Sequence, residues 1–260
     1  MSKKVDICVC VKNRQSIIEQ TLNNILNQNF DDFRILCCDG KSNDMTMNKI
    51  FDLQEQTDGK VIAYETEKEG YVNSHNYILS QTDAEYICFI DSDDIVDVNK
   101  LEEQVKFLDT HPDVDVVSST TILPNKKVLV NSMVDLNDNQ ITEYLKNGHS
   151  ILELCHFESC MFRRKCLEKF INKIYFYPEY EDGLLGQGFL YTLHFLGYKF
   201  ANIISTVYVY TRGLIKDSMS NKIIPQFANA IDTLSYEKKQ EYITELFSAY
   251  NSSKKKKVVK

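Results

Sequence analysis

Short apolar runs alternate with amphipathic segments over the first 120 residues of the chain. The apolar runs predict strands at residues 5–11, 33–38, 61–64, 86–90 and 114–117. Between them, apolar side chains recur at helical spacing, which predicts helices at residues 18–26, 44–54, 71–80 and 98–108. Asp97 is placed to cap the last of these helices. The alternation is typical of a mostly parallel sheet whose strands are joined by crossover helices.

The second half of the chain has a weaker pattern. Residues 123–153 are polar and rich in asparagine, and they predict no definite element. Beyond them we expect strands at residues 160–162 and 203–210, and helices at residues 181–196 and 224–247. The basic tail at residues 251–260 is predicted to be disordered.

Composition and charge exclude several classes of function. The net charge of −7 disfavours non-specific nucleic-acid binding, which needs many Lys and Arg side chains. No apolar stretch approaches the ~20 residues that span a bilayer, so we expect no transmembrane segment. The 8 cysteines form no Cys-x-x-Cys pair, which predicts free thiols rather than a zinc site.

The expected location is the cytoplasm. The chain opens Met-Ser-Lys-Lys-Val-Asp, without an apolar leader of signal-peptide length. The lysine run at residues 254–257 is either a solvated tail or a weak contact to anionic lipid. We therefore expect a cytoplasmic protein that is either free or peripheral at a membrane.

Carboxylates follow two of the predicted strands. Asp39 ends the second strand, and Asp91-Ser92-Asp93-Asp94 follows the strand at residues 86–90. Ligands of open parallel sheets lie beyond the carboxyl ends of strands, so these side chains are expected at one edge. Like charges repel unless a cation lies between them, and carboxylate oxygens suit Mg²⁺ or Mn²⁺. A solvated turn before the next helix explains the same cluster equally well.

Four strings, in order along the chain, resemble motifs of the family 2 glycosyltransferases of GT-A fold. The strings are Val11-Lys12-Asn13-Arg14, Asp39-Gly40-Lys41-Ser42-Asn43-Asp44-Met45-Thr46, Gly70-Tyr71-Val72-Asn73-Ser74-His75-Asn76 and Asp91-Ser92-Asp93-Asp94. They are similar, in that order, to the family's Val-Tyr-Asn-Arg, Asp-Asp-Gly-Ser-Thr-Asp-Gly-Thr, Gly-x-x-x-Ala-Arg-Asn and Asp-x-Asp motifs. The likeness extends over residues 5–120. Beyond it only Glu181-Asp182 and Tyr208-x-Tyr210 with nearby Arg212 match.

The resemblance implies an α/β architecture of GT-A type. This is a Rossmann-like, mostly parallel central sheet flanked by helices, with a C-terminal acceptor-side region. Residues 1–122 are then the nucleotide-sugar-binding half, and residues 123–250 the acceptor-side half of the same domain. Either a monomer or a homodimer is compatible with these patterns.

The resemblance also implies a reaction and its site residues. The reaction is an inverting, single displacement that moves a sugar from a nucleotide-sugar to a hydroxyl of a saccharide or glycoconjugate. Asp39 would accept a hydrogen bond from the donor's base, which favours uracil, and Asp91 would contact the ribose or the metal. Asp93 would hold Mn²⁺ or Mg²⁺ against the diphosphate, and Asp182 would be the general base. The remaining implied substrate-binding residues are Val11, Asn13, Arg14, His75 and Ser92.

Three residues depart from the family pattern. Lys12 replaces an aromatic residue, and Lys41 replaces a glycine whose loop therefore has an uncertain backbone shape. His75 replaces an arginine, and it either makes donor binding pH-dependent or is an ordinary helix histidine.

Two other functions fit parts of the sequence. A haloacid-dehalogenase-like phosphatase also has an Asp-x-Asp loop, but that loop normally follows the first strand of its core. A nucleotide-sugar or carbohydrate-binding protein without turnover would keep the donor residues and lack the base. His156, Arg163 and Arg164 either approach phosphate or have structural roles.

Overall fold

The computed structural model describes residues 2–122, 137–168, 170, 185–209, 235–238 and 241. Its strands are β1 (Val5–Val11), β2 (Phe33–Asp39), β3 (Val61–Glu65), β4 (Tyr86–Phe89), β5 (Ile95–Val96), β6 (Val116–Ile122), β7 (Met161–Arg163) and β8 (Phe200–Val209). Its helices are α1 (Ile18–Leu26), α2 (Thr46–Gln56), α3 (Tyr71–Ser80), α4 (Lys100–Thr110), α5 (Asp138–Lys146), α6 (Arg164–Leu167) and α7 (Leu185–Phe195). Two 3₁₀ turns, Ile151–Glu153 and Phe157–Ser159, precede β7.

The eight described strands form one sheet in the order β3-β2-β1-β4-β7-β6-β8-β5. β1 pairs in parallel with β2 and β4, β2 with β3, and β6 with β8. The antiparallel pairs are made by the two shortest strands, β7 between β4 and β6, and β5 against β8. The predicted mostly parallel sheet is confirmed.

Buried apolar side chains lie on both faces of the sheet. Along β1, Ile7 and Val9 belong to one cluster with α1 and α4, whereas Cys8 belongs to the other with α3 and α7. This division follows the period of two in a strand, and burial on both faces explains why β1 is apolar nearly throughout.

Asp6 is the polar exception within β1. It is fully buried, and it accepts hydrogen bonds from Arg34 Nε at 2.6 Å and from the backbone N–H groups of Asp83 and Ala84 at 2.8 and 3.0 Å. A buried carboxylate is tolerated only when its oxygens are satisfied in this way. Asp6 therefore joins β1, β2 and the segment before β4.

The start of α4 differs from the sequence prediction. The N-cap residue is Asn99 rather than Asp97, and Asp97 Oδ1 accepts the Asn99 backbone N–H at 2.8 Å. The Asp97 backbone N–H donates to the Val207 carbonyl, which continues the unpredicted β5–β8 pairing. Because Asp97 extends that short strand, the helix begins two residues later than a cap at this position requires.

α5 was not predicted from the polar stretch in which it lies. Asn137 and Gln140 form a capping box at its start, and only Ile141 and Leu145 are buried along it. Two apolar positions are too few for a periodicity argument. Residues 181–184, position 210, most of the predicted helix at 224–247, and the tail lie outside the described residues. No described helix is long and apolar enough to cross a bilayer.

Candidate functional site

The carboxyl ends of β1, β2 and β4 bring the predicted site residues to one edge of the sheet. Val11 and Asp39 are register partners at the ends of β1 and β2. The Ile90 N–H donates to the Cys8 carbonyl, so Asp91 follows at the same edge. The sequence prediction that Asp39 and the Asp91 cluster lie at one edge of the sheet is therefore confirmed.

Asp39 is a buried carboxylate with one neighbouring residue that donates to it. The Ser42 hydroxyl donates to Oδ1 at 2.5 Å, and the Ser42 N–H donates to Oδ2 at 3.2 Å. Burial raises the pKa of Asp39, and the two Ser42 hydrogen bonds oppose this effect. A carboxylate has about four acceptor positions, so capacity remains for an N–H group of a ligand.

The loop after Asp39 packs closely against the end of β1. The Gly40 N–H donates to the Val11 carbonyl at 2.8 Å, and a Cβ at Gly40 would lie 3.0 Å from Ser74 Oγ. Lys41 has a φ of 64°, in the left-handed region that glycine adopts without strain. The loop thus keeps a glycine-like backbone although lysine replaces the family's glycine.

Asn13 and Arg14 connect the β1 loop to the segment that starts α2. The Asn13 N–H donates to Ser42 Oγ at 2.8 Å, and Asn13 Oδ1 accepts the Asn43 N–H at 2.9 Å. The Arg14 N–H donates to Thr46 Oγ1 at 2.8 Å. The first two motif strings therefore interlock, which gives their polar residues a structural role beside any contact with substrate.

Arg14 is a cationic side chain beside the carboxylates of the Asp91 cluster. Arg14 Nε lies 3.8 Å from Asp93 Oδ2, and both side chains are largely shielded from solvent. Burial raises the pKa of Asp93, and Arg14 opposes this shift. Burial also raises the pKa of Asp91 well above its usual range, and the neighbouring Glu158, Asp94 and Asp93 add to it.

The other two members of the cluster are anchored to the protein. The Ser92 carbonyl accepts the Thr21 hydroxyl of α1 at 2.9 Å. Asp94 is buried and accepts a short hydrogen bond from the Tyr208 hydroxyl of β8. Asp91 and Asp93 are partly exposed, whereas Ser92 and Asp94 are buried, so a ligand would reach the Asp91 and Asp93 carboxylates first.

His75 lies beneath the site rather than on the surface of α3. Its ring stacks on Phe89, with centroids 5.7 Å apart, and Nδ1–H donates to the Tyr71 carbonyl at 2.9 Å. Burial lowers the pKa of His75 to about 4, so the ring is neutral at pH 7. Its contact with a donor stays a prediction.

The depressed pKa of His75 predicts a pH-dependent stability. An unfolded histidine titrates near 6.5, so the unfolded chain binds a proton first as the pH falls. The stabilisation is present above that value and is lost towards pH 4. Between pH 7 and pH 5 we expect about 2 kcal/mol of the unfolding free energy to disappear. Urea denaturation of His75→Gln should show a pH dependence of the unfolding free energy that is weaker by that amount. Equal pH dependence in wild type and His75→Gln would contradict this account.

Glu158 lies beside the Asp91 cluster, where the 3₁₀ turn Phe157–Ser159 positions it. Its role was not predicted from the sequence. Glu158 Oε2 lies 2.8 Å from His156 Nδ1, and the His156 ring packs on Tyr208. Burial acts to raise the pKa of Glu158, but the adjacent His156 holds it below its usual value. An acidic residue within an apolar run just before a predicted strand was the available signal.

Phe157 and Gly186 fix the position of this turn. The Phe157 ring stacks on the ring of Phe89, and the two centroids are 5.0 Å apart. Phe89 lies two residues before Asp91 in the chain. On the opposite side, a Cβ at Gly186 of α7 would lie 2.6 Å from Phe157 Cβ. Only a glycine allows α7 to approach so closely.

Gly186→Ala should therefore destabilise the protein by about 1–3 kcal/mol, because the added methyl group overpacks the contact with Phe157. Gly188→Ala is the matched control, since a Cβ there meets nothing within 4 Å. In a helix that change should be neutral or stabilising by up to about 1 kcal/mol. Chemical denaturation of both variants checks the prediction, and equal stabilities would contradict it.

Arg163 and Arg164 have structural roles away from the carboxylates. Arg163 donates to the backbone carbonyls of Val114 and Leu108, and Arg164 donates to the Thr82 carbonyl. Asp182, its neighbour Glu181 and Arg212 lie outside the described residues.

Comparisons with solved structures support the architecture. The crystal structure of Staphylococcus aureus TarS residues 1–349 in complex with UDP-GlcNAc superimposes with a TM-score of 0.68 at 21% identity, covering 88% of this chain and 64% of that one. Mannosyltransferase PcManGT from Pyrobaculum calidifontis, in complex with GDP-Man and Mn²⁺, gives a TM-score of 0.65 at 18% identity, covering 89% and 63%. The predicted GT-A fold is confirmed.

Sequence comparisons extend the likeness to curated relatives. The poly(ribitol-phosphate) beta-N-acetylglucosaminyltransferase TarS of Staphylococcus aureus is 28% identical over 110 residues, which is 42% of this chain and 19% of TarS. A GalNAc(5)-diNAcBac-PP-undecaprenol beta-1,3-glucosyltransferase of Campylobacter jejuni is 33% identical over 92 residues, 35% of this chain and 30% of the relative. The matched stretch thus spans less than a third of either relative.

A family model decides the classification. The model described as Glycosyl transferase family 2 matches residues 6–171, which is more than half of the chain and includes Asp39, the Asp91 cluster and Glu158. The family agrees with the order of the four motif strings and with the GT-A architecture, and it leaves the phosphatase alternative without support. The chain belongs to glycosyl transferase family 2.

Proposed function

We propose that this protein transfers a sugar from a UDP-sugar to a hydroxyl group of a saccharide or glycoconjugate acceptor, with inversion of the anomeric configuration. The observation that carries the proposal is that Asp39, Asp91 and Asp93 all lie at the carboxyl edge of the sheet. A uracil N3–H group would donate to Asp39, and the diphosphate would lie beside Asp91 and Asp93. The TarS complexes with UDP-GlcNAc and with UDP support this class of donor.

A divalent cation, Mn²⁺ or Mg²⁺, fits the Asp91 and Asp93 carboxylates. Their oxygens are hard ligands. Burial and the neighbouring carboxylates raise the pKa of Asp91, and a bound cation would oppose this shift. In the described parts of the chain, no group of three His, Cys, Asp or Glu side chains is arranged to hold a metal. Diphosphate oxygens and water would therefore complete the coordination. When bound, such a cation stabilises the negative charge that develops on the leaving diphosphate.

The chain's own residues supply binding and orientation. Arg14 lies between the β1 loop and Asp93, where its guanidinium can contact a phosphate oxygen while it stays paired with the carboxylate. Asn13 and Ser42 hold the two loops that flank the donor. Three further residues stabilise this arrangement. The Val11 carbonyl accepts the Gly40 N–H, the Ser92 carbonyl accepts the Thr21 hydroxyl, and the buried His75 ring stacks on Phe89.

Asp182 is proposed as the general base. A sugar hydroxyl is a poor nucleophile at neutral pH, and a carboxylate that takes its proton in the transition state contributes about 10²–10⁴-fold to the rate. The hydroxyl oxygen would then attack C1 of the sugar as the bond from C1 to the diphosphate oxygen breaks.

The acceptor is proposed from chemistry shared by the relatives. The name of TarS specifies a poly(ribitol-phosphate) acceptor, and the Campylobacter enzyme acts on an undecaprenol-linked saccharide. Both are glycoconjugates that present free hydroxyl groups, which is the acceptor class that we propose here.

A nucleotide panel tests the donor assignment. We expect UDP to raise the melting temperature more than GDP or dTDP does, and only when Mn²⁺ or Mg²⁺ is present. Asp39 would accept a hydrogen bond from the base, and Asp93 would hold the cation that offsets the charge of the diphosphate. Thermal unfolding with each nucleotide, with and without cation, gives the comparison. A clearly larger shift with GDP or dTDP would refute the uridine assignment.

A further inference from the structure

We propose that Glu158 and His156 bind the transferred sugar of the donor and exclude donors whose sugar is negatively charged. This inference rests on the proposed function, and it assigns a specificity role to two residues that carry no motif of the family resemblance.

The sheet topology orders the site from base to sugar. Strands β2, β1, β4 and β7 are consecutive neighbours, with Asp39 at the end of β2 and Asp91 after β4. β7 runs antiparallel to β4, so the turn before Met161, which contains Glu158, lies at the same edge. Three strand spacings separate β2 from β7, about 14 Å in all. Base, diphosphate and sugar are joined in that order in the donor, so the sugar falls beside Glu158.

Glu158 is held in a fixed orientation before any ligand arrives. The Phe157–Phe89 stack fixes its backbone, and the Ser159 N–H closes the turn on the His156 carbonyl at 2.9 Å. Its side chain, 13% exposed, is paired with the 15% exposed His156 at 2.8 Å. A shielded carboxylate that one neighbour orients and that still reaches solvent is suited to accept hydrogen bonds from a ligand.

The chemistry of the pair favours a sugar over a cation. The described residues provide no third ligand beside Asp91 and Asp93, so Glu158 is adjacent to that pair without completing a metal site. Sugar hydroxyl and N-acetyl N–H groups are donors, and a carboxylate is an acceptor of strong, charge-assisted hydrogen bonds. Glu158 can therefore bind two neighbouring donors of a neutral hexose.

The surrounding charge disfavours an acidic sugar. Asp91 and Asp93 are close enough to Glu158 for the charges to interact, and His156 and the neutral ring of His75 also face Glu158. With a cation on Asp91 and Asp93, the Glu158 carboxylate remains as a like charge beside the expected position of the sugar. A sugar carboxylate there would lose binding free energy, because charge repulsion is strong in a shielded site. Neutral hexoses and N-acetylhexosamines are therefore the expected class, and uronic acids are excluded.

Calorimetric titrations can separate sugar binding from diphosphate binding. UDP, UDP-glucose, UDP-GlcNAc and UDP-glucuronate would be titrated in Mn²⁺ into wild type, Glu158→Gln, His156→Gln and the exposed control Glu168→Gln. For Glu158→Gln we expect the affinity of the best neutral UDP-sugar to fall about 10- to 100-fold, with UDP affinity unchanged. In Glu158→Gln, the ratio of the affinity for the neutral UDP-sugar to the affinity for UDP-glucuronate should be smaller than in wild type. His156→Gln should weaken the neutral donor in the same selective way, and Glu168→Gln should match wild type.

Equal loss of UDP and UDP-sugar affinity in both site variants would overturn the assignment, because it indicates a structural or phosphate-side role. Unchanged UDP-sugar affinity in Glu158→Gln would overturn it as well. Wild-type protein that binds no UDP-sugar would overturn the proposed function itself, whereas normal donor binding that is insensitive to Glu158 overturns only the sugar contact.

Discussion

Asp93→Asn should lose the Mn²⁺-dependent affinity for UDP by at least about 10²-fold while the protein stays folded. Changing a residue that merely supports a metal ligand typically costs 10–100-fold, so replacing a proposed ligand should cost at least as much. The amide keeps the shape of Asp93 and removes the charge that would bind the cation. Arg14 keeps its hydrogen bonds to the Lys12 and Asn13 carbonyls when the carboxylate 3.8 Å away is replaced by an amide.

Isothermal titration of UDP with and without Mn²⁺ measures this effect, and thermal unfolding without ligand checks the fold. Asp52→Asn, at an exposed position of α2, makes the same chemical change away from the site and should bind as wild type. Equal UDP affinities of wild type and Asp93→Asn in the presence of Mn²⁺ would show that Asp93 does not bind the cation.

Asp182→Asn should abolish sugar transfer with almost no effect on donor binding. A general base acts on the acceptor hydroxyl in the transition state, so its removal lowers kcat by about 10²–10⁴-fold and leaves the affinity for UDP with Mn²⁺ intact. Sequence analysis places Asp182 at the start of a predicted helix, where the free N–H groups stabilise an ionised carboxylate. That keeps it ready to accept a proton.

Glu181 is the competing base one residue earlier. Adjacent side chains on a helix point about 100° apart, so only one of the two can face the acceptor. Transfer assays on Asp182→Asn and Glu181→Gln with the same UDP-sugar decide between them. Near-normal transfer by Asp182→Asn together with its loss in Glu181→Gln would move the role to Glu181. Normal donor binding by wild type with no turnover on any acceptor would favour a binding protein.

Most strands and helices of the first half were predicted from periodicity. β1 and α3 have the predicted ends, because apolar runs and glycine or polar borders coincide there. α5 and β5 were missed for a physical reason. α5 buries only two side chains and depends on its capping box, and β5 exists only through its pairing with β8. Neither a cap nor a long-range pairing produces an apolar repeat.

The site divides in the same way. Asp39, Asp91 and Asp93 could be brought together from sequence, because strand ends of a parallel sheet share one edge. Glu158 could not, since its position depends on Phe157 stacking on Phe89 and on the close approach of Gly186. The sequence left His75 as either a donor contact or an ordinary helix histidine, and in the structure α3 turns it towards Phe89 beneath the site. Such contacts join residues far apart in sequence, and no local pattern encodes them.

Release of UDP from a UDP-sugar tests the central claim most directly. Wild-type protein would be incubated with a panel of UDP-sugars and Mn²⁺, with and without excess EDTA, beside Asp93→Asn and a chromogenic phosphate ester. We predict that at least one UDP-sugar yields UDP, that an acceptor glycoconjugate accelerates the release, and that EDTA or Asp93→Asn stops it. Hydrolysis of the phosphate ester, with every UDP-sugar left intact under all conditions, would contradict the account.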